Sequence, residues 1–285
     1  MDSDEFSEDD IVYLIPLFKT KRKTRYVFKL KREGVFYCKF GSIQHKEIIG
    51  KIPGTVIKSD QNYSFVVLRA ELPEMIWYYK EFKYATQVIY PRDWGIIMAF
   101  GDINPDHKIV EIGTGSGGIL AFLANRLKNG KIYSYEKDPE RAKIAEKNLE
   151  SMNVPKKYEI KVRDVAKEGV DEKDVDVIII DIPEPWEVIE EAWCALRPGG
   201  KIIVYTPTYN QLERVLLELM RHGFIDIKIK ETIVRDIQTK LYAIRPMLKG
   251  YYFSAFIIFA KKSLVIPRDY ITQFILKKKI TSYSG

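Results

Sequence analysis

From about residue 106 onward, short apolar runs alternate with stretches of helical period. Ile109-Val110-Glu111-Ile112, Lys131–Tyr135, Tyr158–Val162, Val175–Ile180 and Lys201–Tyr205 are brief and rich in β-branched residues, as strands buried on both faces are. Between them the spacing predicts helices over Ile119–Ala124, Pro139–Met152, Glu187–Leu196 and Asn210–His222. Pro139 suits a first helical turn, and Gly199-Gly200 and Gly223 supply stops. Alternation of this kind predicts an α/β fold with a doubly wound parallel sheet. Two late β runs, Ile225–Val234 and Tyr251–Ala260, have no helical pattern between them and predict an antiparallel hairpin at one sheet edge.

The first seventy residues read differently. Tyr26-Val27-Phe28 and Val35–Cys38 are strand-like with a turn at Glu33-Gly34, Ser64–Leu68 is another strand, and Gly41, Gly50 and Gly54 punctuate the segment. No helical period runs through it, so a small all-β domain is expected, with a short barrel as one form it could take. Pro73–Tyr79 reads as a helix, and Asp93 as the cap of a further helix over Trp94–Phe100. The expected division is a β domain over residues 1–80, an α/β domain over 81–262 and a basic extension over 263–285.

The 285 residues carry 46 Lys and Arg against 39 Asp and Glu, a formal net charge of +7, which permits a polyanionic partner without requiring one. Lys19, Lys21, Arg22, Lys23, Arg25, Lys29, Lys31 and Arg32 crowd one stretch with Tyr26 and Phe28 among them, and Lys277-Lys278-Lys279 form a second group. RNA contact and a plain solvated face are both open for each. No apolar run is long enough for a membrane span, and the acidic start Met1-Asp2-Ser3-Asp4-Glu5 is unlike a secretory signal. Cys38 and Cys194, with three histidines, have no metal-ligand spacing, so no metal is expected and the thiols read as free in a reducing cytoplasm.

The candidate chemistry lies where the first α/β strand ends. Glu111-Ile112-Gly113-Thr114-Gly115-Ser116-Gly117-Gly118 joins that strand to a helix, and the glycines let a ligand approach the main chain. Glu136 ends the next strand about twenty residues on, where a ribose-binding carboxylate is expected. Gly113, Gly115 and Gly118 satisfy a dinucleotide spacing, but an acid at Glu111 suits a cation-bearing ligand better than a pyrophosphate, which favours S-adenosylmethionine (SAM) over NAD. Asp164, after the third strand, could accept from an adenine amine, and Asp181-Ile182-Pro183-Glu184-Pro185-Trp186, after the fourth, places Asp181 in a proline-stiffened segment where an acceptor would sit.

The E-x-G-x-G-S-G run resembles the first motif of the class I SAM-dependent methyltransferases, and Asp181–Trp186 resembles the D-x-P-x-P-W motif of the TrmI family of tRNA adenine-N1 methyltransferases, with Glu184 in place of an expected Asp. Gly41–Lys51, Thr86–Asp93 and Tyr205–Gln211 are similar to further stretches of that family, and Arg245-Pro246 with Gly250-Tyr251 to its closing motif, where Leu248 and Lys249 replace His and Thr. The resemblance spans roughly residues 40 to 262. It implies a Rossmann-like class I methyltransferase fold, SAM as cofactor, tRNA as partner, N1-methyladenosine in the T-loop as product at position 58 or also 57, cytoplasmic location and a homotetramer. It implies cofactor binding by Glu111, Gly113, Gly115, Ser116, Gly117, Glu136, Asp164 and Asp181, with Asp181 also at the acceptor base, Tyr90 as a stacking platform and Tyr205 lining the pocket; core packing is the other reading of both tyrosines. A methyltransferase acting on another RNA site, a protein or a small molecule, and a non-catalytic RNA-binding subunit, remain the rival readings.

Overall fold

A computed structural model describes residues 4–18, 24–247 and 253–265. The basic positions Lys19, Lys21, Arg22, Lys23 and Lys277–Lys279, the Leu248-Lys249 replacements and Gly250-Tyr251 lie outside the described residues. The chain divides by its internal contacts into two units, residues 1–83 with 148–153, and residues 84–147 with 154–285.

The first unit contains β1 (Ile11–Pro16), β2 (Tyr26–Lys29), β3 (Val35–Cys38), β4 (Gly41–Gln44), β5 (Val56–Lys58), β6 (Ser64–Arg69) and helix α1 (Leu72–Tyr78). Four strands form an antiparallel sheet in the order β2-β1-β6-β5, and β3 and β4 form a separate ribbon. The turn expected at Glu33-Gly34 is present, with Gly34 N–H donating to Lys31 O at 2.9 Å. It does not make a hairpin of β2 and β3, because each finds another partner. Their aromatic side chains face each other instead: Phe28 and Phe36 stack at 4.2 Å between centroids over a core of Phe6, Leu14, Leu30, Ile43 and Phe65. Burial of an aromatic face outweighs a local turn signal. The described strands make an open sheet plus a ribbon, not a closed barrel.

The second unit runs α2 (Pro91–Gly101), β7 (Lys108–Ile112), α3 (Gly118–Ala124), β8 (Lys131–Glu136), α4 (Pro139–Ser151), β9 (Tyr158–Val162), α5 (Val165–Glu168), β10 (Val175–Ile180), α6 (Ile189–Ala195), β11 (Leu196–Thr206), α7 (Tyr209–Arg221), β12 (Phe224–Glu231), β13 (Ile237–Gln238), β14 (Arg245–Pro246) and β15 (Phe256–Lys262). Its seven-stranded sheet has the order β9-β8-β7-β10-β11-β15-β12, with the first five parallel and β15 antiparallel to both neighbours. The expected antiparallel pair is present at one edge, but β15 lies inside β12. The link between them is no tight turn; it carries the small β13–β14 ribbon.

Strands β7 and β10 are adjacent, and the chain leaves them toward opposite ends of the sheet. That reversal opens a crevice outside their carboxyl ends, where α/β sheets bind ligands. Apolar side chains such as Val110, Ile178, Ile180, Ile202 and Val204 are fully or almost fully buried and hold those ends in register.

Candidate active site

Beyond Ile112 the chain turns through three glycines in the left-handed region: Gly113 at φ +101°, Gly115 at +53° and Gly117 at +80°. Space as well as backbone angle requires two of them. A Cβ on Gly113 would lie 2.2 Å from the Asp181 carbonyl oxygen, and one on Gly115 would lie 2.5 Å from Thr86 Oγ1. Gly117 caps α3, its N–H donating to Thr114 O at 2.9 Å. A cavity of about 410 Å³ opens over this turn.

Gly113, Gly115, Ser116, Glu136, Asp164 and Asp181 all line that cavity. The Glu136 carboxylate, 6 % exposed, accepts Gly115 N–H at 3.0 Å and Asp138 N–H at 3.2 Å through different oxygens. It is fixed in place, and each oxygen keeps a lone pair for a ligand hydroxyl. Asp164 is held by Lys167 at 2.9 Å, and that contact lowers its pKa. The Ser116 hydroxyl is turned to the protein instead. It donates to Thr86 O at 2.8 Å and accepts Ala85 and Thr86 N–H at 2.9 and 3.1 Å, strapping the preceding linker onto the turn. Asp181 continues β10, and burial pushes its carboxyl up to about 7. Gln211 in the first turn of α7 donates to Pro183 O at 2.9 Å, while the Arg214 guanidinium lies 3.7 Å over the Trp186 ring. Asp181–Trp186 is thereby clamped from one side.

Four expected residues do not line the cavity. Gly117 serves as the cap just described. Glu111 is 0 % exposed behind the turn, where Ser134 donates to its Oε2 and Thr114 Oγ1 lies 2.5 Å from Ser134 Oγ. Its Oε1 is buried without a partner among the described residues, and desolvation pushes the carboxyl up to about 8, with Asp181 and Glu136 adding to the rise. Tyr205 is 8 % exposed, its hydroxyl donating to Asp93 Oδ2 at 2.9 Å; burial first, then the Asp93 charge, raise its pKa. Tyr90 is the residue before α2, with the Arg92 guanidinium 4.8 Å from its ring. Asp93 is not the cap of that helix. Pro91, whose fixed φ suits a first helical position, starts α2 earlier, which places Asp93 inside the first turn with its side chain buried.

Sequence reasoning missed Lys137, Arg141 and Arg163, which bring positive charge to the cavity, and the apolar linings Val88, Ile89 and Ile182. Their signal was adjacency: most of them follow or precede a segment already singled out.

SAM can be tested against this cavity. Main chain without Cβ atoms, a pinned carboxylate at a strand end, an aspartate after the next strand and the Asp181 carboxyl group on the cavity wall suit a nucleoside that carries a sulfonium and an amino-acid tail. The residues fit.

The family model described as the tRNA methyltransferase complex GCD14 subunit matches residues 64–250, and one described as the TR61B FKBP-like domain matches residues 18–62. The tRNA (adenine(57)-N(1)/adenine(58)-N(1))-methyltransferase TrmI of Methanocaldococcus jannaschii is 31% identical over 276 residues, covering 88% of this chain and 95% of that one. The tRNA (adenine(58)-N(1))-methyltransferase TrmI of Thermus thermophilus is 28% identical, covering 85% and 95%. Among solved structures, the tRNA (m1A58) methyltransferase TrmI of Aquifex aeolicus superposes with a TM-score of 0.77 at 26% identity, covering 92% of this chain and all (100%) of that one. A SAM-dependent O-methyltransferase of Thermotoga maritima superposes at 0.83 with 31% identity, covering 92% and 96%.

Proposed function

This chain belongs to the GCD14 family of tRNA methyltransferases, and on that premise we propose that it methylates N1 of an adenine in the T-loop of tRNA, at position 58, with SAM as methyl donor. The observation that carries the reading is the convergence of Asp181, Glu136 and the Gly113–Gly115 turn on one cavity, with Gly113 pressed against the Asp181 main chain.

SAM supplies a methyl group activated by its sulfonium. Glu136 would hold the ribose hydroxyls, and Asp164 would accept from the adenine amine of the cofactor. The main chain of Gly113 and Gly115 forms the floor. The acceptor adenine leaves its stack to enter the site, as base-modifying enzymes require. Its N1 lone pair is already nucleophilic, so no strong base is needed. Positive charge grows on the ring during transfer, and Asp181, accepting from the exocyclic amine, stabilises that charge as it grows. Tyr90, at the mouth of α2, offers a face for the base. Tyr205 serves indirectly, since its hydroxyl is turned to Asp93.

We place the enzyme in the cytoplasm with its tRNA substrates, and we assign it a homotetramer. The exposed apolar side chains of Ile233, Val234, Ile237, Leu241, Tyr242 and Ile244 support an assembly surface for further copies of this chain.

The test is methyl transfer from labelled SAM to an unmodified tRNA transcript, with the product nucleoside identified and mapped. The expected outcome is N1-methyladenosine in the T-loop. Asp181→Ala should abolish transfer while SAM still binds. Label in a methylated hydroxyl, the chemistry named for the Thermotoga protein, would overturn the acceptor. Full activity of Asp181→Ala would overturn the role of that residue.

A further inference from the structure

Among the described residues of this unit, two fully buried carboxyl groups beside the site, Glu111 and Asp93, are left without a role by the proposed reaction, and Asp93 is the one that is tied to Tyr205. It is 0 % exposed, one of its oxygens accepts the Tyr205 hydroxyl at 2.9 Å, and the other, Oδ1, is buried with no hydrogen-bond partner among the described residues. As a stabilising device this is a poor arrangement. An orphaned buried acceptor is costly, and an apolar pair of the same volume would be as stable or better.

Its connections point elsewhere. Asp93 N–H donates to Tyr90 O at 2.9 Å, and Trp94 Nε1–H donates to Ile89 O at 3.0 Å, so residues 89–94 form one tied turn. Tyr90 sits at its start and Ile89 lines the cavity. At the other end of the contact, β10 and β11 are parallel with Ile180 opposite Val204, which puts Tyr205 alongside Asp181 in the next register step. In a parallel pair, residues in register point to the same face. Asp93 and Tyr205 therefore join the turn that carries Tyr90 to the strand end that carries Asp181.

We propose that Asp93 is a positioning residue which, through its hydrogen bond with Tyr205, fixes the Tyr90 turn relative to Asp181 and so sets the width of the slot for the acceptor base. This rests on the reading of Tyr90 and Asp181 as the acceptor side of the site. The tether has a second effect. With its proton committed to Asp93, the Tyr205 hydroxyl does not donate to Asp181, whose oxygens stay open as acceptors for the base amine.

The experiment compares Asp93→Ala, Asp93→Asn and Tyr205→Phe with the parent full-length protein. Three quantities are measured for each: the SAM dissociation constant by calorimetry, kcat and KM on an unmodified tRNA transcript, and the melting midpoint. Asp93→Ala and Tyr205→Phe should lower kcat by about tenfold or more, as expected when a reacting group is displaced by a fraction of an ångström to an ångström. Their SAM affinity should stay within about twofold of the parent, since no cofactor contact is lost. Asp93→Asn keeps an oxygen for the tyrosine and should recover most of the rate. The Asp93→Ala/Tyr205→Phe double variant should be no slower than the worse single one, because both break the same link. Parental kinetics in Asp93→Ala, on a parent that does methylate tRNA, would overturn the proposal alone. So would losses of SAM affinity and kcat that track the melting midpoint with no recovery in Asp93→Asn, which would make the contact purely structural. A parent that binds SAM but transfers no methyl to tRNA would remove the premise and overturn both readings together.

Discussion

Glu111 and Asp181 show how one environment gives two carboxyl groups different behaviour. Glu111 is sealed behind the glycine turn and held near 8 by burial, so it is largely protonated at neutral pH. Below its ordinary value of 4.5 both folded and unfolded states carry the proton; between 4.5 and about 8 only the folded state does. Stability is thus highest at the acid end of that window and falls as pH rises through it. Glu111→Gln removes this dependence. The variant should match the parent in unfolding free energy near pH 5 and exceed it near pH 9, by a margin on the order of a few kcal/mol, read from denaturant unfolding at the two pH values. Asp181, raised to about 7, lines the cavity, and the proposed reaction requires it as an anion. Its kcat/KM on tRNA should climb as pH passes through about 7 and level off above it, and Asp181→Asn should give a flat, low profile about 100- to 1,000-fold down. A carboxylate at a strand end, two residues ahead of Pro183, was visible in the sequence. The fate of Asp93 was not: beside an apolar helical run it reads as a cap, and only the early start at Pro91 and the approach of Tyr205 from a strand 112 residues away make it a buried acceptor. Tyr90 and Tyr205 likewise differ in exposure for reasons of tertiary packing alone.

Among the elements, the β7–Gly113–Gly117–α3 turn carries the site. Gly113→Ala would meet both a positive φ and an oxygen 2.2 Å away, so relaxation must move the Asp181 main chain. The variant should lose SAM affinity by at least about tenfold, measured by titration, and melt lower, since a strained backbone of this kind costs about 1–3 kcal/mol. The parallel strands were legible because burial on both faces leaves near-continuous apolar runs, and the helices because one face must stay polar. Pairing was less so. β2 and β3 are joined by a good turn yet pair with β1 and β4, because Phe28 stacks on Phe36 across the gap between sheets. The β13–β14 ribbon, two residues a side, is too short for a period to show.

At the scale of the molecule, the exposed apolar residues between β12 and β15 and the proposed tetramer make one prediction. Light scattering coupled to size exclusion should give a mass about four times 33.2 kDa, and Leu241→Glu with Tyr242→Glu should shift it downward while leaving SAM binding intact. A mass of one chain for the parent would overturn the tetramer. The order of strands in the large sheet has a further consequence, and it concerns synthesis. β12 pairs with β15 and not with β11, so the last strand of the sheet is a keystone slid between two earlier ones. While the chain emerges from the ribosome, β11 presents an open edge and β12 has nothing to pair with until residues 256–262 arrive. A nascent chain stopped short of Phe256 would hold the complete Gly113–Asp181 crevice and yet expose β11 as a template for foreign strands.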